Sequence, residues 1–316
     1  MNRYINKLLF GNSYRQEYLC ISRDDFKESF DIILTNADYS FTYLVTGKNI
    51  LLGYKPLLLG IIASKDSELC RHLESTSNHA LHFRSKEKSI AILELEKIKT
   101  VDASEDKLFI LRGIKGQHHF LNSFHRMMNS LRGQLKKKPA GNIGLEGNLY
   151  EQVRIAYSVP RNISLVTTGG GIQCNIFPTD LHGRINEKFY VDSLRIGGKA
   201  CLQVEENSKM LISEMPVEKH AEVYKLGKNH TKDYQPVSNF RTNGNSVLWG
   251  LPIPESAIAY HELEVMSHFD EGIHRVFLLA IRNSQLLATA PSLSHIHSYA
   301  ASWRKKKGIA TDYYLR

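Results

Sequence analysis

Short strand-like runs set apart by turn residues recur along the whole chain, and they confine it to a β-rich fold. Residues 40–46 (SFTYLVT) alternate and carry β-branched and aromatic side chains, which predicts a strand. Residues 49–54 and 56–63 predict two more, and 89–95 and 107–111 another pair. The second half repeats the pattern at 152–157, 162–168, 174–177, 189–196, 201–204, 210–212, 263–266 and 274–282. Helical signals are fewer. One helix is expected to begin within 64–72, with Ser64 or Ser67 as N-cap. A second is marked by Phe120, Leu121, Phe124, Met127, Met128, Leu131 and Leu135, an apolar stripe at helical spacing that reads as a core-facing surface. A third is expected over 216–226, with Pro216 at the first helical position and Gly227 just past the end. Many short strands with few helices exclude a doubly wound Rossmann sheet and favour a barrel.

The chain has 316 residues, enough for two domains. The stretch KKKPAGNIGLEG, residues 136–147, interrupts the strand and helix patterns and reads as a linker. The expected organisation is an N-terminal α+β domain over 1–138, a linker over 139–149 and a β-barrel domain over 150–316. Gly141, Gly144 and Gly147 lack the spacing of a dinucleotide fingerprint. Residues 43–47 (YLVTG) and 164–169 (SLVTTG) echo each other, so the first half could hold a degenerate second copy of the barrel.

The first 18 residues contain no apolar signal region, and the most apolar stretch, 50–63, is broken by Lys55-Pro56. A cytoplasmic protein with no membrane partner is expected. Cys20, Cys70, Cys174 and Cys201 form no C-x-x-C pair and are expected as buried free thiols. The net charge of +9 attracts phosphate groups. Its two clusters, Lys136-Lys137-Lys138 and Arg304-Lys305-Lys306-Lys307, read as solvated surface. Trp303 and Tyr313-Tyr314 flank the second, but there is no RNA-binding signature, and nucleic acid is not an expected partner.

Five segments in order resemble the flavin reductase-like family, whose relatives include flavoredoxins. They are Val159-Pro-Arg-Asn-Ile-Ser-Leu-Val-Thr-Thr168, Cys174-Asn-Ile-Phe-Pro-Thr-Asp-Leu-His-Gly183, EKHAEVYKLG over 218–227, Gly250-Leu-Pro-Ile-Pro254 and Gly272-Ile-His-Arg-Val-Phe277. The resemblance covers about 157–316. It implies a six-stranded Greek-key split β-barrel of the FMN-binding type. It also implies a homodimer with FMN at or near the subunit interface, and NAD(P)H as a possible electron donor. The flavin contacts it implies come from Thr167, Thr168, Asn175, Ile176, Thr179 and Asp180.

Asn175 and Thr179 are short hydrogen-bonding side chains that can hold a flavin ring or ribityl hydroxyls, or can equally satisfy loop backbone. Ser193, Arg195 and Lys199, around Gly197-Gly198, offer a phosphate both donors and positive charge, or form a solvated turn. Lys228 and His230 are weaker candidates. His274 opens a strand in the G-x-H segment. His295 and His297 share one side of an extended segment, but no third ligand is spaced to make a metal site. No nucleophile or acid–base pair is needed where a flavin carries the redox chemistry. Two functions follow: an FMN-dependent, NAD(P)H-linked reductase or electron carrier, or a non-enzymatic split-barrel module that has lost flavin and binds a partner or nucleic acid through its basic patches.

Overall fold

The computed structural model describes residues 3–10, 16–26, 30–36, 39–86, 88–135, 143–309 and 311–314. Two large antiparallel sheets form its frame. The first runs, edge to edge, Thr42–Leu44, Asp31–Asn36, Asn78–Ser85, Lys88–Ala103, Asp106–His118, Leu57–Ser64, Asn49–Tyr54. The second runs His182–Arg184, Phe189–Arg195, His274–Leu286, Ala259–Glu271, Lys209–Glu214, Ser164–Gly170, Gln173–Thr179, Gln235–Pro236. In the second sheet, Lys209–Glu214, Ala259–Glu271 and His274–Leu286 lie side by side, and the earlier strand Phe189–Arg195 pairs with the last of them.

A small third sheet ties the molecule together. Leu293–His297 lies between Tyr18–Ser22 and Arg161–Asn162, so residues from the two ends of the chain are paired. The helix Leu149–Ala156 and the helix Ser298–Lys306 both contribute to the core of the first sheet. Val153, Ile155, Tyr299 and Trp303 pack there with Leu93, Leu95 and Phe109. Burying each such side chain stabilises the fold by roughly 1.5–3 kcal/mol. The second sheet has separate apolar clusters on its two faces, one centred on Leu165, Ile176 and Tyr260, the other on Val166, Phe177 and Phe277.

Several expectations meet the structure directly. The strands at 49–54 and 56–63 are present as Asn49–Tyr54 and Leu57–Ser64. Ser67 caps the helix Glu68–Ser75 by accepting from Cys70 N at 3.1 Å. All four cysteines are buried free thiols. No helix among the described residues is long and apolar enough to cross a membrane.

Others are corrected. Residues 152–156 are helical, within Leu149–Ala156, and Tyr157 caps that helix, because Gln152 through Ala156 are enclosed on all sides and the alternation has no open face to serve. Residues 201–204 belong to the helix Lys199–Asn207, whose buried Ala200, Cys201 and Val204 have helical spacing. The helix expected to stop at Gly227 continues as a 3-10 turn over Leu226–Thr231. In the helix Ser123–Leu135, Phe124, Met127 and Leu131 are exposed, while Phe120 and Leu121 before it are buried in the core. Arg304 is fully buried over the Phe26 ring at 3.9 Å, so it is not part of a solvated cluster. Trp303 is buried as well and offers no stacking platform. Lys136-Lys137-Lys138 and Gly141 lie outside the described residues.

Candidate functional site

The side chains implicated by the resemblance fall into three neighbouring groups on the second sheet. The first surrounds Asn175 on the strand Gln173–Thr179. Its Nδ2 donates to Gln203 Oε1 at 2.7 Å and to the Asn229 carbonyl at 3.0 Å. Asn229 Nδ2 in turn donates to the Ile176 carbonyl at 2.8 Å, and His230 Nε2 lies 2.7 Å from the Pro178 carbonyl. Asn175 therefore clamps the segment after the helix His220–Lys225 against the strand. Thr168 Oγ1 reaches the Gln203 carbonyl at 3.4 Å, while Thr167 Oγ1 is buried without a hydrogen-bond partner. Ile176 is part of the core.

The second group centres on Asp180 and extends through a partly buried series of polar side chains. Tyr157 Oη donates to Asp180 Oδ2 at 2.8 Å, and His295 Nε2 lies 2.9 Å from the same oxygen. The Tyr224 hydroxyl meets His295 Nδ1 at 2.8 Å. Burial alone would raise the Asp180 carboxyl, but His295 and Tyr157 reverse that and hold it at about 2. The Tyr18 ring lies 5.3 Å from His295 and 5.4 Å from His297. His297 Nε2 stands 3.5 Å from Glu17 Oε1, and Tyr150 Oη donates to the same carboxylate. The Arg154 guanidinium covers the Tyr150 ring at 3.6 Å and donates to Glu151 at 2.6 Å. His118 Nε2 closes the series 2.6 Å from Glu151. Within each hydrogen-bonded piece, such as Tyr157, Asp180, His295 and Tyr224, an acid beside an imidazole can hold a proton, whereas the ring contacts of Tyr18 only pack the pieces together. Among the described residues no cluster of His, Cys, Asp or Glu is arranged to hold a metal, and His295 and His297 are each engaged by a separate carboxylate.

Deeper in the same sheet, Thr179 Oγ1 donates to Asp192 Oδ1 at 2.9 Å, and Asp192 Oδ2 has no hydrogen-bond partner. Burial raises the Asp192 carboxyl to about 7, with only partial relief from Thr179 and the Ser193 backbone.

The third group lies on the seam between the two large sheets. Arg195 is opposite His274 in the strand ladder. His274 Nε2 accepts from Tyr54 N of the first sheet at 3.2 Å, and their rings meet edge to face at 4.6 Å. Burial lowers the His274 imidazole to about 4, keeping it neutral and able to accept that bond. Burial raises the Tyr54 hydroxyl, and the charges of Arg195 and Asp180 act on it in opposite directions. Arg195 is exposed, whereas Ser193 is buried with its hydroxyl unpartnered. Lys199 forms a surface ion pair with Asp233 at 2.7 Å. Elsewhere, Arg126, Asn148 and Glu151 line an open cleft of about 350 Å³ beside the end of the strand Asp106–His118.

Sequence reasoning singled out Asp180, His274 and His295 but not Tyr54, Tyr157, Gln203, Tyr224 or Asn229, which complete these groups. Each is an ordinary tyrosine or amide in sequence, and only the folded contact with a residue tens of positions away distinguishes it.

No protein-family model and no curated protein matches the chain. Among solved structures, it is similar to the flavin reductase component of a bacterial two-component tryptophan halogenase, at 14% identity and TM-score 0.43, over 53% of this chain and 98% of that one. It is also similar to an FMN-binding protein from Thermus thermophilus, at 16% identity and TM-score 0.38, over 48% and 80%. A third is an NADH:FAD oxidoreductase from Streptomyces globisporus, at 10% identity and TM-score 0.41, over 51% and 91%. At such low identities and scores these likenesses assign the chain neither a family nor an activity.

Proposed function

We propose that this protein binds a flavin, FMN in the first instance, at the seam between its two large sheets, and works as an NAD(P)H-linked reductase or a flavoredoxin-like electron carrier. The observation that carries this reading is the path of the second sheet. Its antiparallel strands take in the ordered segments from Val159 to Phe277, and their pairing sets Arg195 beside His274 where Tyr54 of the first sheet meets it. In this reading Arg195 binds the flavin phosphate, with Lys199 adding charge nearby once it is released from Asp233. Neutral His274 and the Tyr54 ring form one wall, and Asp180 with His295 and Tyr157 sets the local charge and holds a proton close by. Bound flavin supplies the hydride or electron chemistry.

The test is an absorption spectrum of the purified protein with and without added FMN. Bound-flavin bands between the near ultraviolet and the blue are the expected result, and protein that takes up no FMN refutes the reading. A second reading has its own support. Asn175, Thr179 and Asp180 are already committed to internal contacts, as a flavin-free binding module would have them. Absence of flavin uptake together with salt-sensitive binding of a macromolecular partner would favour it.

A further inference from the structure

The two large sheets repeat one plan. Each has an edge hairpin, a strand followed by a helix, and three further strands, placed in the same spatial order. Asp31–Asn36 corresponds to Ser164–Gly170, Leu57–Ser64 to Phe189–Arg195, Asn78–Ser85 to Lys209–Glu214, Lys88–Ala103 to Ala259–Glu271, and Asp106–His118 to His274–Leu286. The helix Glu68–Ser75 corresponds to Lys199–Asn207. Both follow the same strand, and both bury a matching set: Leu69, Cys70 and Leu73 in one, Ala200, Cys201 and Val204 in the other.

The correspondence extends to register and sequence. Strand shifts fall between Glu94 and Leu95 and between Lys97 and Lys99 in the first sheet. In the second they fall between Glu262 and Leu263 and between Val265 and Ser267, the matching places. The hairpin turns match too, Ala103 pairing Asp106 and Glu271 pairing His274, with Ser104 (φ 62) and Gly272 (φ 59) both left-handed. Residues 91–96 read AILELE and 259–264 read AYHELE. Asp102, Phe109 and Leu111 match Asp270, Phe277 and Leu279. Thr35 and Thr167 are matching buried threonines, each with an unpartnered hydroxyl. Bulges are placed by sequence and kept as features, so coincidence at both positions is not a generic property of antiparallel sheets.

The contact between the sheets is reciprocal. The turn at Tyr54-Lys55 meets the turn at Ile273-His274, with Ile273 N donating to the Lys55 carbonyl at 3.1 Å and Tyr54 N to His274. The matching turn of the second sheet meets the matching turn of the first. Asn186 Nδ2 donates to the Ala103 carbonyl at 2.8 Å and to Asp106 Oδ2 at 3.0 Å, and Lys188 lies 3.7 Å from Glu105. Between these contacts one apolar cluster contains both members of the matching pairs Leu58 and Phe189, Leu108 and Val276, and Val101 and Phe269. Residue i of one unit contacting j of the other, while j of the first contacts i of the second, is the signature of a two-fold interface.

We infer that the chain is a fused pair of one domain, joined about an internal pseudo-two-fold axis, so that a single chain supplies both sides of an interface that two subunits would otherwise make. The fused chain acts as a monomer. The units have also diverged at the seam. Ser193, Arg195 and Lys199 of the second unit correspond to Ile62, Ser64 and Glu68 of the first. Resting on the flavin reading above, the pair therefore keeps one phosphate-binding position, in the second unit.

Light scattering on the full chain during an FMN titration tests both parts. The expected result is a mass of one chain, 36.0 kDa, with one FMN per chain. Arg195→Ala is expected to weaken FMN binding about tenfold or more, the loss of a charge-assisted contact, with Ser64→Ala leaving it unchanged. A two-chain mass overturns the fused monomer, and two FMN per chain overturns the single position. A one-chain mass with no FMN uptake rejects the flavin reading and upholds the fused pair.

Discussion

Replacing Asp192 by asparagine should shift stability progressively in the variant's favour as pH rises, from a loss at acid pH towards a gain above about 7. The carboxyl is fully buried, with one oxygen bonded to Thr179 and the other unpartnered, and burial raises it from 3.8 to about 7. For an acid raised in the folded state, the fold binds the proton more tightly than the unfolded chain does. Stability is then highest below the unfolded value and falls as pH rises towards the folded one. The shift corresponds to an upper limit of about 4 kcal/mol above pH 7. Asparagine has nearly the same shape and no charge, so it escapes that loss, though its amide inherits an unpartnered position at a roughly constant 1–3 kcal/mol. The informative quantity is therefore the difference in unfolding free energy, variant minus parent, followed by urea melts from pH 4.5 to 8. It should rise across this range and level off above about 7. Taking the difference removes the opposing trend of His182 and His274, which burial holds at about 4. A flat difference would refute the assignment of a protonated carboxyl to this position.

Three further outcomes follow from the same contacts. A Cβ on Gly272 would lie 2.2 Å from Pro56 Cδ and 2.4 Å from the Lys55 carbonyl at a left-handed φ, so Gly272→Val should cost more than about 2 kcal/mol; an unchanged melting temperature would contradict the seam as described. Asp180 is held at about 2 against an ordinary 3.8, so it supports the fold above pH 4 and loses that support as pH falls towards 2. Asp180→Asn should remove about 2 kcal/mol at neutral pH and flatten the acid limb of the stability curve. Burial raises the Cys174 and Cys201 thiols to about 11, so an aromatic disulfide reagent at pH 8 should leave both unmodified until the protein is unfolded.

The sequence was informative where local chemistry decides structure. The apolar runs after Asn49 and Leu57 can only be strands of their length, and Ser67 has the side chain that a helix start requires. It was misleading where tertiary burial overrides pattern. Gln152 to Ala156 alternate, yet they form a helix buried on every side, and the stripe at Phe124, Met127 and Leu131 points outward. The repeated plan was harder to see. The echo between residues 43–47 and 164–169 aligns the edge strand Thr42–Leu44 with Ser164–Gly170, whereas the sheet positions match Ser164–Gly170 to Asp31–Asn36. The stronger match, AILELE against AYHELE, is offset by the segment 215–258, which the first unit lacks. The Asp180 group draws on residues 157, 224 and 295, a proximity that no local pattern encodes.

The strand Tyr18–Ser22 has Leu293–His297 as its ladder partner, and Cys20 also bridges to Tyr314. A ribosome makes Leu19, Cys20 and Ile21 well before the strand Leu293–His297 that pairs with them, although all three are fully enclosed in the finished molecule. Until Leu293–His297 is made, that apolar edge lacks its ladder partner and is open to pairing with other nascent chains. That edge closes only once Leu293–His297 has been made, so a chain stopped before Leu293 would keep the strands of both large sheets and leave Tyr18–Ser22 without its ladder partner.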